Sequence, residues 1–197
     1  HAMSIAIRHL CRPGDTVLVE DATFFGMRSI ADVERIKLHG IALDEDGLIP
    51  EALEQAVRDT GARVLYIQPT LQNPTARTMP ARRRRALAHI CRTLGLSVIE
   101  SDVYGALARE AHRAIGVPAP PEPLVNLLPG QTWFIGSASK ATAPGLRIGF
   151  LLCPDSAGFD AVSFRIRAEC FATPALPSLI AAQWMADGTA QAILSEI

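Results

Sequence analysis

The stretch Thr132–Cys153, TWFIGSASKATAPGLRIGFLLC, sets two short apolar runs, Thr132–Gly136 and Ile148–Cys153, on either side of a loop of small residues that carries Lys140. Each run has the length of a strand rather than a helix, and the Pro144-Gly145 step marks a break between them. Lys140 stands out in that loop, because of the 19 lysines and arginines in the chain only Lys37 and Lys140 are lysines. An ammonium that loses its proton becomes a primary amine able to condense with an aldehyde, whereas a guanidinium stays protonated. An arginine-rich composition also leaves a few lysines behind for no chemical reason. The neighbours of Lys140 therefore have to decide.

Outward from this stretch the same alternation of short apolar runs and amphipathic segments continues. Thr16–Glu20 is a β-branched run entered through the turn former Pro13-Gly14-Asp15, and Arg35–Leu43 is a second extended segment ending at the turn Asp44–Gly47. Pro50 suits the first position of a helix running to about Asp59, closed by Gly61. Arg63–Gln68 is the next strand. Pro80 then opens a helix whose Leu87, Ile90, Cys91 and Leu94 share one stripe and which stops at Gly95. Ser97–Ser101 completes a set of six strands, and the pattern predicts an α/β fold with a mainly parallel sheet and helices on both faces. Arg82–Arg85 read as a solvated helix shoulder, since no aromatics interleave them as in a nucleic-acid patch. Val117–Pro129, with five prolines, reads as a loop.

Composition narrows the function classes. The 197 residues are 49% hydrophobic and 20% charged, enough for one substantial core, and a net charge of −1 excludes a general attraction to nucleic acid or an acidic membrane. Cys11, Cys91, Cys153 and Cys170 have no paired or metal-type spacing. With no secretory signal or long apolar span, reduced thiols in a cytoplasmic setting are the simplest expectation, with no metal and no membrane contact. Ala2, Ile5, Ala6 and Leu10 have helical spacing without a preceding cap, and Pro177–Ile197 is helix-like without a terminator. The chain is expected to be a fragment of a longer protein.

In open α/β sheets ligands bind beyond the carboxyl ends of the strands. Those positions hold Pro69-Thr70-Leu71-Gln72-Asn73-Pro74-Thr75, then Asp102 and Tyr104, then Ser137-Ala138-Ser139-Lys140. Arg147, just before the Ile148 run, could return to the same edge. Several of these residues have a plain structural reading as well: Asn73 as a turn former, Tyr104 as a packing residue, Arg147 as a cap on a strand edge; Phe24, beside the equally apolar Phe25 after the Thr16–Glu20 run, reads as core.

Taken together, Gln72-Asn73-Pro74-Thr75, Asp102-Val103-Tyr104-Gly105, Ser137-Ala138-Ser139-Lys140 and Ala143-Pro144-Gly145-Leu146-Arg147-Ile148-Gly149 resemble, in order and interval, the large domain of fold-type I pyridoxal-phosphate (PLP) aminotransferases of class I/II. The nearest branch is that of the MocR/GntR-type regulators, whose aminotransferase-like domain follows a winged helix-turn-helix. The resemblance spans nearly the whole chain and implies one PLP-binding large domain over residues 1–197, lacking an N-terminal region and a C-terminal small domain. It implies that Lys140 holds the cofactor aldehyde as a Schiff base and moves the substrate proton, with Asp102 and Tyr104 as its catalytic partners. Ser137 and Arg147 would bind the phosphate, Asn73 and Tyr104 the phenolic oxygen, and Phe24 would stack on the ring.

The match has departures. The carboxylate that keeps the pyridine nitrogen protonated commonly lies three residues before the tyrosine, which here is Ser101, while other branches place it two before, at Asp102. Both positions stay open, with Asp102 favoured. Ala76 stands where a glycine is common, Ala22 where a proline is usual, and Ala138 where a larger residue is usual. The implied activity is amino-group exchange between an amino acid and a 2-oxo acid, by a homodimer. The alternative is an effector-sensing domain of a MocR/GntR-type transcriptional regulator that binds PLP and an amino compound, and another PLP reaction such as elimination or decarboxylation is the third.

Overall fold

The computed structural model describes residues 1–197. In chain order its elements are α1 Ala2–Leu10, β1 Thr16–Glu20, α2 Phe25–Glu34, β2 Lys37–Ile41, the two-residue strands β3 Leu43–Asp44 and β4 Gly47–Leu48, α3 Pro50–Thr60, β5 Val64–Ile67, α4 Ala81–Leu94, β6 Ser97–Ser101, α5 Gly105–Ala114, α6 Leu124–Leu127, β7 Thr132–Ser137, β8 Gly149–Leu152, α7 Ser156–Cys170, α8 Ala175–Asp187 and α9 Thr189–Glu196. A six-stranded sheet of order β2-β1-β5-β6-β7-β8 forms the centre. Its first five strands run parallel, and β8 pairs antiparallel with β7. No helix is long and apolar enough to cross a membrane.

The central strands β1, β5, β6 and β7 are covered on both faces, because their apolar side chains alternate between two different cores. Leu18, Leu65, Ile67 and Val98 pack with α3, α4 and α6 on one side. Val17, Val19, Val64, Tyr66, Ile99, Trp133 and Ile135 pack with α1, α2 and α7 on the other. Helix ends follow the residues that permit them: α3 and α4 close on Gly61 and Gly95, at φ 67° and 65°.

The architecture matches the expected α/β sheet, with four local differences. The Arg35–Leu43 run is not one strand, because Arg35 takes φ 55° and its N–H caps α2 on Ala31 and Asp32, so pairing begins at Lys37. The Pro177–Ile197 segment breaks at Gly188, φ 85°, into α8 and α9. The proline-rich loop contains α6, whose first N–H groups at Leu124 and Val125 donate to the Glu100 carboxyl at 2.8 and 2.9 Å. The largest correction concerns the arginine run. Arg84 is 1% exposed rather than solvated, and Arg83 is half-buried, paired with Asp44 at 2.8 Å.

Candidate functional site

The parallel strands β1, β5, β6 and β7 deliver their following loops to one edge of the sheet. Because β8 runs back along β7, with Ser137 opposite Gly149, Arg147 returns to that edge beside the Lys140 loop. The antiparallel turn thus joins two candidates that the sequence separates by seven positions.

The Lys140 loop is held by hydroxyl bonds to backbone groups. The Ser137 hydroxyl accepts the Ser139 N–H at 3.1 Å and lies 3.3 Å from the Ile148 carbonyl, to which it donates, and the Thr142 hydroxyl donates to the Ala138 carbonyl at 3.0 Å. Lys140 itself is exposed, with Nζ 5.6 Å from the centroid of the Tyr104 ring. That is within range of a cation–π contact. Arg147 is exposed at φ 54°, and its guanidinium donates only to the Pro144 carbonyl, at 3.3 Å, which leaves donors free for an anion.

Asp102 follows β6 directly, its N–H bonded to the Ile135 carbonyl of β7 at 2.8 Å. Its carboxylate is buried, Oδ1 has no hydrogen-bond partner, and Oδ2 lies 4.0 Å from Arg109 Nη1. Burial raises the Asp102 carboxyl above its ordinary value, and Arg109, the Thr70 hydroxyl and Arg84 oppose that rise. A Cβ on Gly105 would lie 2.0 Å from Asp102 Oδ2, so the carboxylate rests where only glycine leaves room. Ser101, the last residue of β6, is buried and paired opposite Ile135.

Behind the edge lie groups that motif reading overlooked. Arg84, from α4, donates to the carbonyls of Met79 at 3.0 Å, Pro69 at 3.0 Å and Glu122 at 3.1 Å, and to the Thr70 hydroxyl at 3.1 Å. It thereby fixes the loop after β5 from beneath, with the Thr70 hydroxyl among the groups that lower the Asp102 carboxyl. Burial lowers the Arg84 guanidinium from its ordinary value, with Glu100 and Asp102 raising it. Glu20, closing β1, is pushed up by burial to about 8, and Glu100 in β6 to about 7. A charged residue ending an otherwise apolar strand, as in Thr16–Glu20, was the available signal. Phe24 precedes α2 and packs tilted on Phe25 with centroids 4.7 Å apart, its ring lying where a Cβ on Gly26 would be. Asn73 follows the buried Gln72 and forms a cis bond to Pro74.

Lys140, Tyr104 and Arg147 therefore share the β6–β8 part of the edge, with Asp102 beneath. Phe24 and Asn73 sit over β1 and β5. A cleft of about 400 Å³ opens beside β1, β2 and α2, lined by Asp21, Thr23, Arg28 and Asp32, away from the Lys140 loop. No group of three His, Cys, Asp or Glu side chains converges as a metal site.

Comparison with known proteins gives a consistent result. The family profile for aminotransferase class I and II matches residues 1–193. An uncharacterized HTH-type transcriptional regulator of Bacillus subtilis, YdeF, is 32% identical over 154 residues, spanning 78% of this chain and 31% of that protein. The aminotransferase swnA of Metarhizium robertsii is 36% identical over 157 residues, 76% of this chain and 31% of the relative. Among solved structures, the Pyrococcus horikoshii kynurenine aminotransferase in complex with PMP superposes with a TM-score of 0.88 at 25% identity, over 99% of this chain and 48% of that one. The chain thus spans about a third of the curated relatives and about half of the solved one.

Proposed function

The chain belongs to the class I and II aminotransferase family, and on that premise we propose that the whole protein exchanges an amino group between an amino acid and a 2-oxo acid, this chain being its PLP-binding large domain. The side chains present fit that cofactor: a buried carboxylate with an orphan Oδ1 at Asp102 for a cationic ring nitrogen, a solvent-facing amine at Lys140 for an aldehyde, and free guanidinium donors at Arg147 for a phosphate. When bound, pyridoxal phosphate supplies an electron sink for the bonds at a substrate Cα.

This chain's residues do the rest. Lys140 Nζ would hold the cofactor through its aldehyde, and the same amine would move the proton at the substrate Cα. Tyr104, 5.6 Å from Nζ at its ring centroid, and Asn73 orient the phenolic oxygen. Arg147 and the Ser137 loop hold the phosphate, and Phe24 covers the ring face. Asp102 holds the proton on the ring nitrogen in preference to Ser101, and its burial beside Arg109 without a closed ion pair supports that choice. The observation that carries the reading is this convergence of Lys140, Tyr104, Arg147 and an unsatisfied Asp102 on one sheet edge.

The test adds PLP to the full-length protein and to Lys140→Ala. A visible absorbance band in the first and its loss in the second is the expected result. An unchanged band in the variant refutes the role of Lys140. Single-turnover reaction with amino acids should then convert bound cofactor to pyridoxamine phosphate.

The similarity to an HTH-type regulator supports a second reading, in which the same site senses an amino compound for a DNA-binding domain. Binding of amino acids without accumulation of pyridoxamine phosphate would favour it. A homodimer in the cytoplasm completes the proposal, supported by the exposed Phe150 and Leu152 of β8 and by four free cysteines.

A further inference from the structure

Backbone pairing between the neighbouring strands β1 and β5 ends at Val19 opposite Tyr66. Beyond that point the two chains part, one toward Phe24 and the other toward Asn73, and side chains take over the joining. Gln72, 4% exposed, spans the gap. Its Nε2 donates to the Ala22 carbonyl at 2.5 Å and lies 3.4 Å from Glu20 Oε2, while its Oε1 accepts the Thr75 N–H at 2.9 Å and the Thr75 hydroxyl at 2.7 Å. Glu20 Oε2 also accepts the Gln68 N–H at 3.1 Å, so one buried carboxyl ties the end of β1 to the start of the loop after β5.

We propose that Gln72, seated on Glu20, is a strap that fixes the Phe24 loop against the Asn73 loop and so acts as a positioning residue for the cofactor ring. The proposal rests on the PLP reading above. Gln72 adjoins Asn73, and Ala22 lies two residues before Phe24, so the strap grips each loop within two residues of a group assigned to the ring. Glutamine suits the place because its amide offers both donors and an acceptor at one stem length, and both ends are used here. The carboxyl of Glu20 meets two amide donors and no cation, and burial pushes it up to about 8, so near neutrality it is mostly protonated. Its work in the strap is that of an acceptor, not of a charge.

A strap of this kind is distinguished from a merely structural contact by coupling to Phe24. The measurements are equilibrium binding of PLP and the visible circular dichroism of the bound cofactor, on the full-length protein. Gln72→Glu keeps the acceptor for Thr75 and replaces the donor to Ala22 with another acceptor. It should weaken PLP binding about tenfold and reduce the dichroism, but cost less than about twofold in a Phe24→Ala background. Glu20→Leu should reproduce the loss, and Glu20→Gln, which keeps an acceptor for the Gln68 N–H, should restore it. If Gln72→Glu does not fold, Thr75→Val releases the other end and carries the same expectation. Full additivity of the Gln72 and Phe24 effects overturns the strap, as does a Glu20→Gln loss equal to that of Glu20→Leu. A wild-type protein that binds no PLP, or a Phe24→Ala variant indistinguishable from it, overturns the site reading instead and takes the strap with it.

Discussion

Replacing Arg84 by methionine tests whether the arginine run on α4 is a surface feature or part of the site's foundation. Met restores much of the volume and none of the hydrogen bonds. Of the four acceptors, the Pro69 carbonyl keeps the Met79 N–H at 2.8 Å, and the Glu122 contact is only part-buried, so that carbonyl can turn to water. The Met79 carbonyl and the Thr70 hydroxyl are left without their buried donor. At about 1–3 kcal/mol for each stranded group, less the recovered cost of burying a guanidinium, the net loss is about 3 kcal/mol. Guanidinium denaturation of the cofactor-free protein measures it, with Arg85→Met, at an exposed neighbour, expected within about 0.5 kcal/mol of wild type. The same substitution removes a charge that lowers the Asp102 carboxyl, so any pH dependence of PLP binding due to Asp102 should move to higher pH. An Arg84→Met protein as stable as Arg85→Met would refute the reasoning, since it would mean that the guanidinium holds nothing.

Three further outcomes follow from local geometry. Ala76 sits at φ 56°, and Ala76→Gly should stabilise the fold by about 1 kcal/mol in thermal denaturation; a loss would show that the left-handed turn carries no strain. Gly105→Ala places a Cβ 2.0 Å from Asp102 Oδ2 and should cost about 1–3 kcal/mol and weaken PLP binding, both read by titrating the variant; unchanged binding would mean that Asp102 does not serve the ring. Glu20 is raised from 4.5 to about 8 in the fold, so between those pH values the native state holds a proton that the unfolded state has lost. Stability should therefore fall as pH rises across that window, by at most ~1.4 kcal/mol per pH unit from this one group. Glu20→Gln should make the fall between pH 5 and 8 shallower, leaving the share of Glu100, which is raised to about 7; an unchanged slope would remove Glu20 from the account.

The sheet was legible because its signals are local: apolar runs of strand length, and glycines at the left-handed ends of α3 and α4. The edge loops were legible as a set because parallel strands must release their loops on one side. What escaped depends on distant partners. Helix α6 forms inside a proline-rich loop because the Glu100 carboxyl, 24 positions back, receives its first N–H groups, and no window of sequence contains both. Arg84 is a different failure, since Arg84, Leu87, Ala88 and Cys91 fall on one buried stripe at i, i+3, i+4 and i+7. The period marked it as inward, and its charge overruled the period.

The choice between Ser101 and Asp102 turns on the parity of a strand. In β6, Ile99 faces the core that holds Tyr66, and Val98 faces the opposite core, so Ser101 inherits the side of Ile99. That core also holds Trp133 and Ile135. Asp102, one residue on, takes the last backbone bond to β7 and presents its carboxylate to the other side, where burial raises it and Arg109, Thr70 and Arg84 oppose that rise. None of the three closes on it, since Oδ1 has no hydrogen-bond partner and the Arg109 contact is 4.0 Å. A buried carboxylate held in that way is costly unless something cationic completes it. The pyridine nitrogen of the family's cofactor is a group of the required charge. Under the proposed function, the spacing of two residues before Tyr104 is therefore the one that would make Lys140 a catalytic amine as well as an anchor.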